Sequence, residues 1–127
     1  MQKQAPMGIQ KKTVLVADDN DGIVASLTMV LEFSGYAVTS IMNGEDVKKI
    51  KAPFPHLILL DIWMAGVNGL DVCRYLKAKH DTKHIPIVMI SAYPGASVTA
   101  LEAGANGFVE KPYTMQDILA SVEKHAT

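Results

Sequence analysis

The stretch His56-Leu57-Ile58-Leu59-Leu60-Asp61 is the most apolar short run of the chain, and it ends on a carboxylate. An apolar run of this length, with Pro53 and Pro55 just before it, is typical of a strand that is buried inside a sheet. A carboxylate at the end of such a strand loses hydration, which is costly unless neighbouring charges or hydrogen bonds compensate for it.

A second apolar run, residues 13–17, is followed by acids in the same way: Asp18, Asp19 and Asp21. Two buried strands that both end on aspartates indicate that carboxylates gather at one edge of a sheet. Because Mg²⁺ prefers oxygen ligands, this gathering predicts a divalent cation site. Taken alone, Asp18 and Asp19 would also suit a helix-capping cluster. Asp21 is best interpreted as an ordinary charge in the first turn of a helix.

The composition fits one globular domain and excludes several classes of protein. The 127 residues are 49% hydrophobic and carry a formal net charge of −1, so no overall field attracts nucleic acid or an anionic membrane. No apolar run approaches the ~20 residues of a membrane-spanning helix. The single cysteine, Cys73, cannot form an internal disulfide and fits a reducing compartment, so we expect a cytoplasmic protein. We expect residues 1–11 to be a disordered tail or a cloning remnant, and residues 12–127 to form one domain.

Strands and helices alternate along the whole chain. The hydrophobic patterns predict strands at residues 13–17, 36–41, 57–60, 87–90 and 106–109. Helices are predicted at residues 21–34, at 44–50 with Asn43 as its cap, from Asn68 or Gly69 to about residue 79, and over about residues 96–103. Thr114 is predicted to cap a last helix. Strict alternation predicts a parallel sheet with helices on both faces and right-handed crossovers.

Five chemically useful residues follow the predicted strands, and ligands of such sheets bind beyond the carboxyl ends of the strands. These residues are Asp18, Asp19, Asp61, Ser91 and Lys111. A carboxylate nucleophile, a cation held by neighbouring acids and a lysine are the parts that phosphoryl transfer to an aspartate needs. Hydrogen bonds from the Ser91 hydroxyl and the Ala92 N–H would bind phosphate oxygens.

Together the motifs resemble the receiver domain of two-component signalling, over about residues 12–125. The matching segments are Val16–Asn20, Leu59–Met64, Gly69–Asp71, Ile90–Ala92, Gly104–Ala105 and Phe108–Tyr113. The resemblance implies a flavodoxin-like, doubly wound (βα)5 α/β fold whose five parallel strands have the order 2-1-3-4-5. It identifies residues 12–127 as a receiver domain.

The resemblance also implies a role for each site residue. Asp61 would be the phosphoacceptor, and Mg²⁺ or Mn²⁺ would be bound by Asp18, Asp19, Asp61 and the backbone carbonyl of Trp63. Lys111, the Ser91 hydroxyl and the Ala92 N–H would bind the phosphoryl group, and Ser91 with Phe108 would form the switch pair. Phe108 lacks the hydroxyl of the commoner tyrosine, so we expect its inward rotamer to be favoured before phosphorylation.

The implied partners are a sensor histidine kinase or a histidine phosphotransfer protein, together with a downstream effector that the residues do not identify. The effector would be controlled through the surface of the fourth helix, fifth strand and fifth helix. The domain would bind neither nucleic acid nor membrane directly, and it would be a signalling switch rather than a metabolic enzyme. Two other functions stay open: a constitutive interaction module, and a Mg²⁺-dependent phosphohydrolase with an aspartate nucleophile.

The chain departs from the family pattern in three places. Ala65-Gly66 replaces Pro-Gly in the loop after Asp61, which favours a less rigid loop. Residues 94–103 are about two positions short and include Pro94-Gly95. Trp63 and Tyr93 are both large aromatics at positions that control access to the phosphate, so we expect them to hinder attack by water and to prolong the life of an aspartyl phosphate.

Overall fold

The computed structural model describes residues 11–64 and 66–126. Residues 1–10 of the expected tail lie outside these ranges, and so does Ala65 of the loop expected to be less rigid. The strands are β1 Thr13–Ala17, β2 Ala37–Ile41, β3 Leu57–Asp61, β4 Trp63–Met64, β5 Val67–Asn68, β6 Ile87–Ser91 and β7 Gly107–Glu110. The helices are α1 Asp21–Phe33, α2 Gly44–Val47, α3 Gly69–Ala78, α4 Ala96–Glu102 and α5 Met115–His125.

Five parallel strands form one sheet in the order β2-β1-β3-β6-β7. Counted along the chain without the short pair β4 and β5, this order is 2-1-3-4-5, so the predicted fold class and strand order are confirmed. The register pairs Ala17 with Leu60, Asp61 with Ile90 and Ser91 with Glu110. The carboxyl ends of β1, β3, β6 and β7 therefore meet at one edge, which we call the carboxyl edge.

The sheet separates two hydrophobic cores. Alternate residues of β3 face opposite sides: Ile58 and Leu60 join the core under α2, α3 and α4, whereas Leu57 and Leu59 join the core under α1 and α5. Successive side chains of a strand point to opposite faces. A central strand covered by helices on both faces must therefore be apolar, which explains the apolar run Leu57–Leu60.

Side chains cap the N-termini of four of the five helices. The Oδ1 atoms of Asn20, Asn43 and Asn68 accept hydrogen bonds from backbone N–H groups of α1, α2 and α3 at 2.8–3.0 Å. Thr114 and Asp117 form a reciprocal capping box at the start of α5. Helix α4 differs, because it begins after Gly95 at φ 78° with no side-chain cap.

The structure corrects several predicted boundaries. Helix α2 ends at Val47 instead of residue 50, because Lys49 and Ile50 donate to carbonyls three residues earlier and so tighten the chain into turns. Strands β3 and β6 each run one residue further than predicted, to Asp61 and Ser91, and these two site residues therefore end the strands instead of following them. Strand β2 begins at Ala37, one residue later than predicted.

The two ends of the described chain meet at the edge of the sheet opposite the carboxyl edge. The ammonium group of Lys12, just before β1, donates to the backbone carbonyl of Ala126 at 2.9 Å, beyond the end of α5. In the described ranges, no helix is both long enough and apolar enough to cross a lipid bilayer.

Candidate functional site

Three carboxylates meet at the carboxyl edge. Asp18 follows β1 and is buried, Asp61 ends β3 and is 6% exposed, and Asp19 lies beside them at the surface. One carboxylate oxygen of each lies within 4.8 Å of the other two. Among the described residues, these three form the group of acids, histidines and cysteines placed to hold a metal ion. The gathering predicted from the two strand ends is therefore present.

Burial and mutual repulsion make the ionised form of this cluster unfavourable. Loss of hydration, and then the charge of Asp18, raise the pKa of Asp61 to about 6, against the partial compensation that Lys111 provides. Loss of hydration also raises the pKa of Asp18, although the Asn20 N–H donates to its Oδ1 at 2.9 Å. A divalent cation would remove this repulsion, so the donor set fits a hard, oxygen-binding metal such as Mg²⁺.

Lys111 reaches the carboxylates from the end of β7. Its ammonium group lies 3.3 Å from Asp61 Oδ1. The Lys111 N–H donates to the Ser91 carbonyl at 2.9 Å, and this bond joins the ends of β7 and β6. The peptide bond between Lys111 and Pro112 is cis. The sheet therefore holds the lysine and the nucleophile candidate within reach of one phosphoryl group.

An open cavity of about 470 Å³ lies over Asp61. Its lining residues are Asp61, Trp63, Ser91, Ala92, Tyr93, Pro94 and Lys111. Ser91 is buried at the end of β6, and its Oγ accepts a hydrogen bond from the Tyr93 N–H at 3.0 Å. Because a hydroxyl also has one donor, this bond leaves the Ser91 proton available for a ligand.

The aromatic rings of Trp63 and Tyr93 contact each other at the cavity mouth. Their centroids are 6.2 Å apart and their planes are inclined by 59°. The sequence predicts both residues near the phosphate, whereas their pairing is visible only in the structure. Trp63 lies on β4, which forms an antiparallel pair with β5 and aligns Trp63 with Asn68.

Gly69 permits a close approach that the sequence argument missed. A Cβ atom at this position would lie 2.5 Å from the Asp61 carbonyl oxygen and 2.9 Å from the Ile62 Cα. Any larger residue would therefore push on the backbone that carries the nucleophile candidate. The sequence contains two signals of this need: Gly69 opens one of the segments that resemble the family, and it directly follows the capping residue Asn68.

Two further aromatic residues, Phe108 and Tyr113, pack on opposite faces of the sheet. Phe108 on β7 is half-buried and packs against the core that contains Ala100 and Ala103, on the α4 side of the sheet. Its expected inward preference stays a prediction. Tyr113 belongs to the opposite core, and burial is the main reason that its pKa is raised, with the charges of Asp18 and Asp61 adding to the effect. The proximity of Tyr113 to the acids is visible only in the structure.

Comparison with known proteins agrees with the geometry of the site. The family model for the response regulator receiver domain matches residues 14–123. Over 119 residues the chain is 34% identical to the DNA-binding response regulator MtrA of Mycobacterium tuberculosis, covering 91% of the chain and 51% of MtrA. The chain thus spans about half the length of the regulators that it matches.

Solved structures show the same fold. A CheY-like response regulator receiver domain protein of Methanospirillum hungatei superimposes with a TM-score of 0.80 at 29% identity, covering 91% of this chain and 93% of that one. The receiver domain of the Pseudomonas aeruginosa sensor histidine kinase PA1611, described with a magnesium ion in its active site cleft, gives a TM-score of 0.81 at 20% identity, covering 92% and 98%. The family match, the relatives and the strand order agree, and the chain therefore belongs to the family of response regulator receiver domains.

Proposed function

We propose that this receiver domain accepts a phosphoryl group on Asp61 from a phosphohistidine, in a reaction that requires Mg²⁺ or Mn²⁺. The observation that carries the proposal is the cluster of three carboxylates with the Lys111 ammonium group 3.3 Å from Asp61 Oδ1. A sensor histidine kinase or a histidine phosphotransfer protein is the proposed donor, and we place the reaction in the cytoplasm.

The proposed cation ligands are the carboxylates of Asp18, Asp19 and Asp61 together with the backbone carbonyl of Trp63. The raised pKa values of Asp18 and Asp61 support this assignment, because they indicate a cluster of acids that lacks enough positive charge. When bound, Mg²⁺ supplies positive charge that keeps the acids ionised and offsets the charge on the phosphoryl oxygens.

Four residues that line the cavity have a proposed task in the transfer itself. An Asp61 carboxylate oxygen attacks phosphorus, and the bond between phosphorus and the donor breaks on the opposite side. The Lys111 ammonium group, the Ser91 hydroxyl and the Ala92 N–H donate to the phosphoryl oxygens. The phosphoryl group stays on the domain's own Asp61, and we therefore propose that the domain acts as a signalling switch and not as a metabolic enzyme.

The proposed output follows from the new charge at Asp61. A phosphoryl group adds about −1.5 to −2 charge. Ser91 turns toward it, and Phe108 fills the space that Ser91 leaves. Because Phe108 packs against the core that α4 covers, its movement changes the surface formed by α4, β7 and α5. An effector not yet identified would bind this surface according to the phosphorylation state.

The first experiment uses the fluorescence of Trp63, the only tryptophan in the chain. Mg²⁺ is titrated first, and beryllofluoride or acetyl phosphate is then added to the wild type and to Asp61→Asn. We expect a saturable Mg²⁺ response and a second, Mg²⁺-dependent change that Asp61→Asn abolishes. Intact-protein mass spectrometry should show one added phosphoryl group on the wild type alone.

A Mg²⁺ response with neither a second change nor a mass increase would contradict the proposal. It would instead favour a constitutive interaction module, which the short helix α4 without a side-chain cap would suit. Hydrolysis of small phosphomonoesters by the wild type would favour the phosphohydrolase.

A further inference from the structure

Basic side chains are concentrated on one face of the molecule. Helices α2 and α3 pack against each other, and with the turns that follow them they occupy residues 44–51 and 69–84. We call the exposed side chains of these two segments the α2–α3 face. The two segments contain seven of the twelve lysines and arginines but only four of the thirteen acids. The rest of the chain contains five basic and nine acidic residues, so the α2–α3 face is positive on a chain whose net charge is −1.

Tyr75 on α3 brings together basic residues from both helices. Lys48 ends α2 and Lys79 ends α3, and their Nζ atoms lie 5.5 and 5.6 Å from the centroid of the Tyr75 ring. The face of an aromatic ring attracts cations, so the ring stabilises two like charges that repel each other. Tyr75 itself is 43% exposed. The α2–α3 face therefore presents two positive charges beside an accessible apolar ring.

The turn after α3 is supported by Lys77 and not by Lys79. The ammonium group of Lys77 donates to the backbone carbonyls of Ile85 at 2.7 Å and Lys83 at 3.3 Å. The ammonium group of Lys79 lies at the Tyr75 ring instead, and within the described ranges no carboxylate lies within 4.0 Å of it. Lys79 is therefore available to bind an anion from outside the domain.

The acids of the α2–α3 face restrict the kind of anion that fits. Glu45 Oε2 lies 3.4 Å from Lys48 Nζ, and Asp71 Oδ1 lies 3.0 Å from the Arg74 guanidinium group. Exposed ion pairs of this kind contribute little energy, so their bases can also bind a carboxylate of a partner. The acids between the bases repel a ligand that is negative along its whole length, such as nucleic acid or an anionic membrane. Separate carboxylates on a protein segment can avoid them.

We propose that the α2–α3 face is a docking surface for an acidic segment of a partner protein. Lys48 and Lys79 bind carboxylates of the segment, and the Tyr75 ring packs against one of its apolar side chains. Both helices run back from the carboxyl edge of the parallel sheet, so these two lysines lie toward the opposite edge. Docking on this face is therefore separate from the proposed phosphorylation of Asp61 and does not depend on it.

The first test measures binding of a synthetic acidic peptide without Mg²⁺ or a phosphoryl donor. The probe is a short fluorescein-labelled peptide that contains glutamate and leucine, and its control has glutamine in place of every glutamate. Fluorescence anisotropy should show saturable binding of the glutamate peptide alone. Binding should weaken as the NaCl concentration rises, because the charges of the face are exposed. In amide NMR spectra of the isotope-labelled wild type, the glutamate peptide should shift Lys48, Tyr75 and Lys79 most.

Matched variants separate the arrangement at Tyr75 from an effect of net charge. Lys79→Gln and Lys124→Gln each remove one exposed positive charge, but Lys124 lies on α5, outside the face. We expect Lys79→Gln to raise the Kd of the glutamate peptide by about two- to fivefold, and Lys124→Gln by less than about 1.5-fold. Tyr75→Leu changes no charge but removes the ring that holds both ammonium groups, so it should raise the Kd by about two- to fivefold. Tyr75→Phe keeps the ring and should keep the wild-type Kd.

Four results would overturn the inference, and none of them bears on the phosphorylation of Asp61. Absence of binding to the glutamate peptide would refute the docking surface, and so would equal effects of Lys79→Gln and Lys124→Gln. Largest amide shifts outside residues 44–51 and 69–84 would refute it without any variant. Displacement of the peptide by single-stranded DNA or by phosphatidylserine vesicles at lower concentrations than by unlabelled peptide would refute an acidic protein segment as the ligand.

Discussion

The carboxyl edge of the sheet and helix α4 are held in place in opposite ways. At the carboxyl edge, backbone hydrogen bonds join neighbouring strand ends: Ile62 N–H to Ile90 O at 3.1 Å, and Lys111 N–H to Ser91 O at 2.9 Å. Helix α4 has only seven residues and begins without a side-chain cap. The proposed chemistry is thus located where hydrogen bonds join neighbouring strand ends, whereas the proposed output is located on a short helix without a side-chain cap.

The inner and outer faces of α4 reinforce this difference. Inside, Ala96 and Ala100 pack against the core, but alanine offers little surface for burial. Outside, Val98 and Leu101 are 59% and 58% exposed. A helix with so little buried side-chain surface can move at a small energetic cost, which is what a switch surface needs. Mutations should therefore have large effects at the carboxyl edge and small effects on the outer face of α4.

The largest expected effect comes from Gly69→Ala. The added Cβ would overlap the Asp61 carbonyl oxygen, which belongs to the backbone and cannot rotate away. We expect the free energy of unfolding to fall by about 2–3 kcal/mol, measured by urea denaturation, together with weaker Mg²⁺ binding.

The control is Gly66→Ala, whose added Cβ meets no atom within 4 Å but whose backbone is strained at φ 76°. It should lose only about 1–2 kcal/mol. Equal losses in both variants would refute the steric role of Gly69.

The charge cluster predicts a stabilising mutation in the absence of Mg²⁺. The pKa of Asp61 is about 6 in the folded protein against an ordinary value of 3.8, so the folded state binds the proton more tightly. This contribution to stability is fully present below pH 4 and is lost as the pH rises through about 6. The loss amounts to about 2–3 kcal/mol. Asp61→Asn should recover about 2 kcal/mol at pH 8 and reduce the decline between pH 4 and 6.

Urea denaturation at several pH values, with and without Mg²⁺, measures this effect. Mg²⁺ should stabilise the wild type and leave Asp61→Asn almost unchanged, because the variant lacks a charged ligand. Asp81→Asn replaces an exposed aspartate away from the carboxyl edge and should change stability by less than about 0.5 kcal/mol. An Asp61→Asn protein that is less stable than the wild type at pH 8 without Mg²⁺ would argue against the repulsive cluster.

The smallest effects are expected on the outer face of α4. Val98→Ser and Leu101→Ser should each change the free energy of unfolding by less than about 0.5 kcal/mol, because these side chains are already largely in water. The matched inner substitution, Ala100→Val, adds methyl groups to a fully buried position and should cost about 1–3 kcal/mol. Losses above 1 kcal/mol on the outer face would mean that α4 is covered in solution, and the contrast between the two regions would fail.

Features that depend on local pattern were predictable from the sequence. The strict alternation and the apolar run of β3 were enough to predict a parallel sheet, and the resemblance supplied its order. The acids after β1 and at the end of β3 were predicted to meet because carboxyl ends of parallel strands share an edge. The caps at Asn43 and Thr114 were equally local, since each depends on a few neighbouring residues.

Features that depend on contacts across the fold were not predictable in the same way. The pair β4 and β5 has two residues in each strand, too few to produce a hydrophobic period. The need for glycine at position 69 arises from backbone atoms of the segment around Asp61, and the pairing of Trp63 with Tyr93 joins two separate loops. Such contacts become visible only when the segments are placed in space.

The bond between Lys12 and the Ala126 carbonyl has a consequence for engineering the domain. The ends of the described chain lie together, on the side of the sheet away from the carboxyl edge. A short linker could therefore join them, and the chain could be reopened between His80 and Asp81, which are both exposed. Such a circular permutant would keep every strand end of the proposed phosphorylation site on its own strand, so its Mg²⁺ affinity should match that of the parent chain. The order in which the strands are synthesised would then be separable from the chemistry that they support.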